Sequence, residues 1–175
     1  MKNTIVVSAV LLLSLITLSS ASRAQGNSFI WVPAGQEGQH PGYQRVVGGK
    51  LNDGTSLPVC RAIINGFQVP GKYYNRTCMM PWHGKELYDA QKYDIFMVKG
   101  AYRWKAVHDL SHSQIESGAV VASSGSGLGT EYICRKQLKD GTHSGKYAIG
   151  NSTCYVSWAG KEYHWTDGFE ILFPG

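Results

Sequence analysis

The chain carries one pattern twice, and a repeated unit constrains everything else, because each copy must bury its apolar face against the other. Lys72 stands twelve residues after Cys60, in Gly71-Lys72-Tyr73; Lys146 stands twelve after Cys134, in Gly145-Lys146-Tyr147. Arginine follows the first cysteine of each copy, as Arg61 and Arg135. Further on, Asn75, Thr77, Cys78, Trp82 and Gly84-Lys85-Glu86 recur as Asn151, Thr153, Cys154, Trp158 and Gly160-Lys161-Glu162. Two residues are inserted between the halves of the second copy. Trp31 and Val46-Val47 match Trp104 and Val120-Val121, and Tyr93-Asp94-Ile95-Phe96 matches Phe169-Glu170-Ile171-Leu172.

Each copy predicts four or five short strands. Alternation of apolar and polar residues is visible in Tyr155-Val156-Ser157-Trp158, and both Gly-Lys-Glu pieces have the composition of turns between strands. The 21 glycines and the Asn-Gly and Asn-Asp-Gly clusters fit tight turns, and no segment shows a helical period. The two units are expected to pack sheet to sheet or to exchange a strand. Residues 25–98 form the first unit, 99–117 a polar linker, and 118–175 the second unit, with the region of Trp104 as its first strand.

Residues 1–24 have the form of an export signal, with Lys2 before the apolar run from Ile5 to Leu18 and cleavage expected after Ala24 or Ala21. That run is too short to cross a bilayer permanently, which takes roughly 20 apolar residues. The mature chain is therefore expected outside the cell, with no stable membrane insertion. An exported chain keeps its cysteines oxidised, and the repeat assigns each unit its own pair, Cys60 with Cys78 and Cys134 with Cys154. Asn75 and Asn151 each begin an Asn-x-Thr sequon, to be read either as a glycosylation site or as turn residues copied by the repeat.

Composition and motifs exclude several function classes. The formal charge of +5, which falls to +3 without Lys2 and Arg23, is scattered rather than gathered into a nucleic-acid stripe. There is no Gly-x-Ser-x-Gly elbow, and the glycines from Gly125 to Gly129 lack the Lys-Ser/Thr of a phosphate loop. His108 and His112 would share a helix face as metal ligands, yet their segment has no helical pattern and no third ligand, so neither metal nor cofactor is expected. Glu86 and Glu162 recur like a catalytic carboxylate pair, but equivalent positions of two units seldom meet at one substrate. A structural role is preferred for them, capping turn amides or pairing with Arg61 and Arg135. Trp82 and Trp158, in alternating strands, are expected in the core rather than stacked on a ligand. The chain is expected to bind rather than to catalyse.

In their order, these pieces resemble the DM-nine repeat family, which includes invertebrate immune lectins and the front of natterin-type proteins. The resemblance rests on Trp31, on Val46-Val47-Gly48-Gly49-Lys50-Leu51-Asn52-Asp53-Gly54, on Cys60-Arg61-Ala62, Pro70-Gly71-Lys72, Gly84-Lys85-Glu86 and Tyr93-Asp94-Ile95-Phe96. The second unit keeps Val120-Val121, Cys134-Arg135, Gly145-Lys146 and Gly160-Lys161-Glu162. It implies an all-β antiparallel β-sandwich of two pseudo-symmetric tandem repeats, binding mannose-type glycans through an aspartate and the lysine of the Pro-Gly-Lys turn. Lys72 and Lys146 occupy the lysine position. Leu51 stands at the aspartate position, with Asp53 the nearest carboxylate, and the second unit has no acid there before Glu131. Asp53, Lys72 and Lys146 are thus the expected carbohydrate-binding residues, with avidity from repetition or from a homodimer. The other implied reading is a non-enzymatic, toxin-like or protein-binding module.

Overall fold

Side-chain alternation sets the elements. In Thr77–Trp82, Cys78, Met80 and Trp82 are buried while Thr77 and Met79 are less so, the period of a strand with one face on a core, and Pro81 is covered on the other face as well. A computed structural model describes residues 28–124 and 127–175, so the expected export segment lies outside the described residues. The described chain is nearly all β. In order come β1 (Ser28–Pro33), β2 (Gln44–Arg45), β3 (Val47–Leu51), β4 (Ser56–Ile64), β5 (Phe67–Tyr74), β6 (Thr77–Trp82), β7 (Lys85–Asp89), β8 (Tyr93–Lys99) and β9 (Tyr102–Ala106). There follow α1 (His112–Gly118), β10 (Val121–Ser123), β11 (Glu131–Leu138), β12 (Gly141–Ala148), β13 (Thr153–Trp158), β14 (Lys161–Trp165) and β15 (Glu170–Pro174).

The strands join in one antiparallel sheet whose main path runs β1-β8-β4-β5-β6-β7-β14-β13-β12-β11-β15-β9, with β2, β3 and β10 on its sides. The path crosses between β7 and β14 at the pair Lys85 and Lys161. The sheet folds back on itself in a barrel- or sandwich-like way: β3 pairs with both β4 and β12, and β5 lies against β12 and β6 against β13. Full pairing of this kind leaves few open strand edges.

Two bridges stitch it, Cys60–Cys78 and Cys134–Cys154, the pairing expected from the repeat. Around the first pack Val32, Ala62, Met80, Trp82 and Ile95; around the second pack Ile115, Tyr147, Val156, Phe169 and Ile171. A third cluster joins Val46, Val59, Phe96 and Val98 to Val120, Ile133 and Leu172, so apolar residues from both halves of the chain share one core. Arg61 pairs with Asp94 at 2.9 Å and lies 4.4 Å over the Trp31 ring; Arg135 pairs with Glu170 at 2.7 Å and lies 4.5 Å over Trp104. Each arginine thus clamps an outer strand, β1 or β9, near its middle.

One α-helix and three single-turn 3-10 helices, at Glu37–Gln39, Val107–Asp109 and Ile149–Asn151, depart from the expectation of none among the described residues. Ser111 accepts a hydrogen bond from the Gln114 amide while the Gln114 side chain reaches back to the Ser111 amide, a capping box that starts α1. Seven residues are too few for a hydrophobic period to show, and Ile115 alone anchors the helix in the core. No helix of the described residues is long and apolar enough to cross a membrane.

Gly71 and Gly145, each preceding a lysine, are required by close backbone approach. A Cβ on Gly145 would lie 1.9 Å from the Tyr155 carbonyl oxygen, and one on Gly71 would lie 2.1 Å from that of Met79. Gly145→Ala is therefore expected to lower stability by about 1–3 kcal/mol. Gly38→Ala, with nothing within 4 Å of the added carbon, should leave the urea midpoint unchanged.

Candidate functional site

β5 and β12 carry the two family lysines, and at each the chain turns its ammonium inward. Lys72 is 4 % exposed. Its Nζ donates to Glu86 Oε1 at 2.7 Å, to Ser157 Oγ at 3.3 Å and to the Ser157 carbonyl oxygen. An ammonium has three protons, so all of Lys72's donors are spent within the protein. Glu86 is held in turn by the Tyr88 hydroxyl at 2.9 Å and by the Gly160 amide at 2.8 Å. Glu162 accepts from the Gly84 amide at 3.1 Å, so each glutamate caps the other unit's turn. Both turns use two residues with positive φ, His83-Gly84 and Ala159-Gly160, which aims their amides at the opposite carboxylate.

A cavity of about 320 Å³ opens beside Lys72, walled by Leu51, Tyr74, Glu86, Asp140, His143 and Trp158. Burial pushes the Lys72 ammonium below its ordinary value, and Glu86 opposes that shift. Burial alone would raise the Glu86 carboxyl, but the Lys72 ammonium, the Gly160 amide and the Tyr88 hydroxyl outweigh it and leave it below 4.5. His143, 2 % exposed, places Nε2 2.9 Å from Asp140 Oδ1, while its Nδ1 is buried with no hydrogen-bond partner among the described residues. Burial, reinforced by the charge of Lys72, pushes its pKa below the ordinary 6.5.

The sign for stability follows. A folded-state pKa below the unfolded one stabilises at pH above the unfolded value and is lost as pH falls. Stability is expected to drop as pH falls below 6.5, from His143, and again below 4.5, from Glu86. Urea midpoints measured across this range check it, and His143→Gln should remove the first step.

The second lysine stands differently. Lys146 is 5 % exposed and its Nζ lies 4.9 Å from the Trp82 ring centre and 5.7 Å from that of Tyr155. Its nearest carboxylate oxygen, Glu131 Oε1, is 3.6 Å away, and Lys146 donates no hydrogen bond among the described residues. It borders a cavity of about 340 Å³ walled by Trp82, His83, Leu128, Tyr155 and Glu162. Aromatic faces, a carboxylate and an ammonium with unspent donors thus surround one opening. Such a set can hold a small polyol, whose hydroxyls both give and accept hydrogen bonds and whose C–H face packs on aromatic rings.

The structure separates the expected residues. Lys72 and Lys146 each reach a cavity, but Asp53 does not join Lys72: it is exposed, and its carboxylate accepts from the Thr55 amide at 2.8 Å within its own turn. Leu51 lines the Lys72 cavity in place of an acid. Glu86 and Glu162 cap turn amides, while Arg61 and Arg135 pair with Asp94 and Glu170 instead. Trp82 belongs both to the core and to a cavity wall. Asn75 is exposed in a turn, and Asn151 is exposed at the end of the single 3-10 turn Ile149–Asn151. His108 sits beside Asp109 at 3.3 Å and His112 beside Ser152 Oγ at 2.8 Å, and no group of metal-ligating residues forms among the described residues.

Glu131, Asp140, His143 and Tyr155 were missed by sequence reasoning. The lysine of one unit meets the tryptophan of the other, Lys72 with Trp158 and Lys146 with Trp82. Residues repeated at constant spacing are sought within one copy of the pattern, and these cavities are lined by residues of both copies.

Comparison with known proteins agrees with this architecture. In the crystal structure of the nematode sperm cell motility protein MFP2B, a region superposes with a TM-score of 0.61 at 15% identity, over 85% of this chain and 46% of that one. The likeness is one of fold, and the chain spans about half the length of that protein. No curated protein sequence matches the chain. The DM9 repeat profile matches residues 17–88 and 53–165, more than half of the chain. The chain therefore belongs to the DM9 repeat family.

Proposed function

We propose that the chain is a secreted, lectin-like protein that binds glycans, mannose among them, in the Lys146 cavity, without catalysis. The observation that carries the reading is the contrast between the two lysines: Lys72 is consumed by Glu86 and Ser157, whereas Lys146 keeps its hydrogen-bond donors beside Trp82, Tyr155 and Glu162. A sugar with hydroxyls that accept from Lys146 and donate to Glu162, and with its C–H face against Tyr155 and Trp82, uses each of these groups. The family resemblance supports mannose as the first ligand to try. Two bridged cysteine pairs are compatible with an extracellular protein, and with the export-like segment they support secretion.

The same reading takes the fold as two pseudo-symmetric units. In support, the strand order from β1 to β7 meets, strand for strand, the matched segments from β9 to β14 read inward, with the seam between β7 and β14 as centre. The bridges and the arginine clamps recur at matched positions.

Calorimetric titration with mannose and a glycan array test the function. Lys146→Met should weaken binding by roughly tenfold to a hundredfold, the loss of one charge-assisted hydrogen bond. The double change Lys72→Met with Glu86→Leu should leave affinity as it is. A wild-type protein that binds no glycan sinks the reading. A protein-binding role is the second reading, favoured by Ile63 and Phe67, 68% and 41% exposed on either side of the Asn65-Gly66 turn.

A further inference from the structure

The sequon at Asn151 stands against the wall of the Lys146 cavity. Asn151 is exposed, and its Nδ2, the atom a glycan would be attached to, donates to the Tyr155 hydroxyl at 2.7 Å. Tyr155 lines the cavity and its ring lies under the Lys146 ammonium. A second contact joins the same turn to another wall: the Gly150 amide donates to the Leu128 carbonyl at 3.1 Å, and a Cβ on Gly150 would lie 2.5 Å from that oxygen. The turn of Asn151 is thus seated on the cavity rim by backbone and by side chain.

We propose that Asn151 is an N-glycosylation site whose glycan covers the mouth of the Lys146 cavity and closes it in cis. Transfer from a lipid-diphosphate-linked oligosaccharide forms the bond from sugar C1 to Asn151 Nδ2 and breaks the C1–O bond to the diphosphate, which leaves with the proton lost by the amide. Nδ2 starts with two hydrogens, so the substituted amide keeps one to donate to Tyr155. The first sugar is therefore held beside the tyrosine that walls the site. Thr153, the sequon's third residue, is only 6 % exposed and its Oγ1 donates to the Asn151 carbonyl at 2.8 Å, so transfer precedes folding of this strand. Asn75 makes no contact of this kind among the described residues: its carbonyl accepts from the Thr77 hydroxyl at 3.3 Å. Its glycan would stand clear of Lys146.

The proposal deepens the reading of the Lys146 cavity as the ligand site, and its test separates the two. The full chain is secreted from eukaryotic cells as wild type, Asn151→Gln, Thr153→Val and Asn75→Gln, and one wild-type portion is deglycosylated by an amidase after folding. Peptide mass mapping reads occupancy of Asn151 and the rate at which formaldehyde and cyanoborohydride methylate Lys146. The expected result is an occupied Asn151, methylation of Lys146 several-fold slower in the wild type than in Asn151→Gln, Thr153→Val or the deglycosylated portion, and Asn75→Gln as slow as the wild type. Mannose should bind the unglycosylated forms at least tenfold more tightly. An unoccupied Asn151, or equal methylation rates with and without its glycan, overturns the proposal. Unequal rates with no mannose binding by any form keep the closure and discard the lectin reading.

Discussion

Glu86→Ala is expected to lower stability by about 3–5 kcal/mol, because it strands the Lys72 ammonium in a site where the side chain is only 5% exposed. The loss does not depend on the pair having been favourable. Taking two charges out of water costs several kcal/mol each, and their attraction returns that only when both are present. Glu86 holds more than the lysine, since the Gly160 amide and the Tyr88 hydroxyl also end on its carboxylate. Lys72→Met should cost less, because Glu86 keeps those two donors. The double replacement by methionine and leucine should come out near the wild type or above it by about 1–4 kcal/mol, as buried ion pairs often do when exchanged for packed apolar residues. Urea unfolding of the three variants at pH 7 checks the order. Glu86→Ala equal to wild type would show that water reaches Lys72 and that the pair is not buried.

Removal of both bridges is the other large effect. Cys60 and Cys78 are 18 residues apart and Cys134 and Cys154 are 20 apart. Each bridge restricts the unfolded chain by about 3 kcal/mol, so replacing all four cysteines with alanine removes about 6 kcal/mol. A domain of this size holds roughly 5–15 kcal/mol in total. The four-alanine chain is therefore expected to be marginal or unfolded at 37 °C by near-ultraviolet circular dichroism, and either single-bridge variant to fold with a reduced urea midpoint. Each bridge lies in its own apolar cluster, with Met80 beside one and Val156 beside the other, so the two losses should be nearly additive. A four-alanine chain as stable as the wild type would mean that the cores alone suffice.

What was legible beforehand had a local or periodic signature. Strands announce themselves by alternation, as in Tyr155-Val156-Ser157-Trp158, and tight turns by Asn65-Gly66 and by the glycines of the Gly-Lys-Glu pieces, whose lysine and glutamate already belong to β7 and β14. The bridges follow from one cysteine pair per copy. The helix at His112–Gly118 stayed hidden because its evidence is a cap and one buried isoleucine rather than a period. Asp53 illustrates a further limit: its nearness in sequence to the family's aspartate position suggested a site residue, but a carboxylate before glycine can satisfy its own turn, and this one does.

The sequence by itself determined the family, the all-β class, the cysteine pairing and the two lysines at matched positions, because each depends on spacing within one unit. Only the tertiary structure decided which side chains meet those lysines. The sheet folds back so that β6 lies against β13, and this brings Trp158 beside Lys72 and Trp82 beside Lys146. The matched lysines also end in unlike surroundings, partly because the two copies differ in sequence. Leu57 and Glu131 both stand three residues before a cysteine-arginine pair, yet one is apolar while the other sets a carboxylate 3.6 Å from Lys146. Lys72 turns instead to Glu86 and to Ser157 across the fold. The charge of a lysine is written in the chain, but its partners are settled by burial, which no spacing along the sequence records.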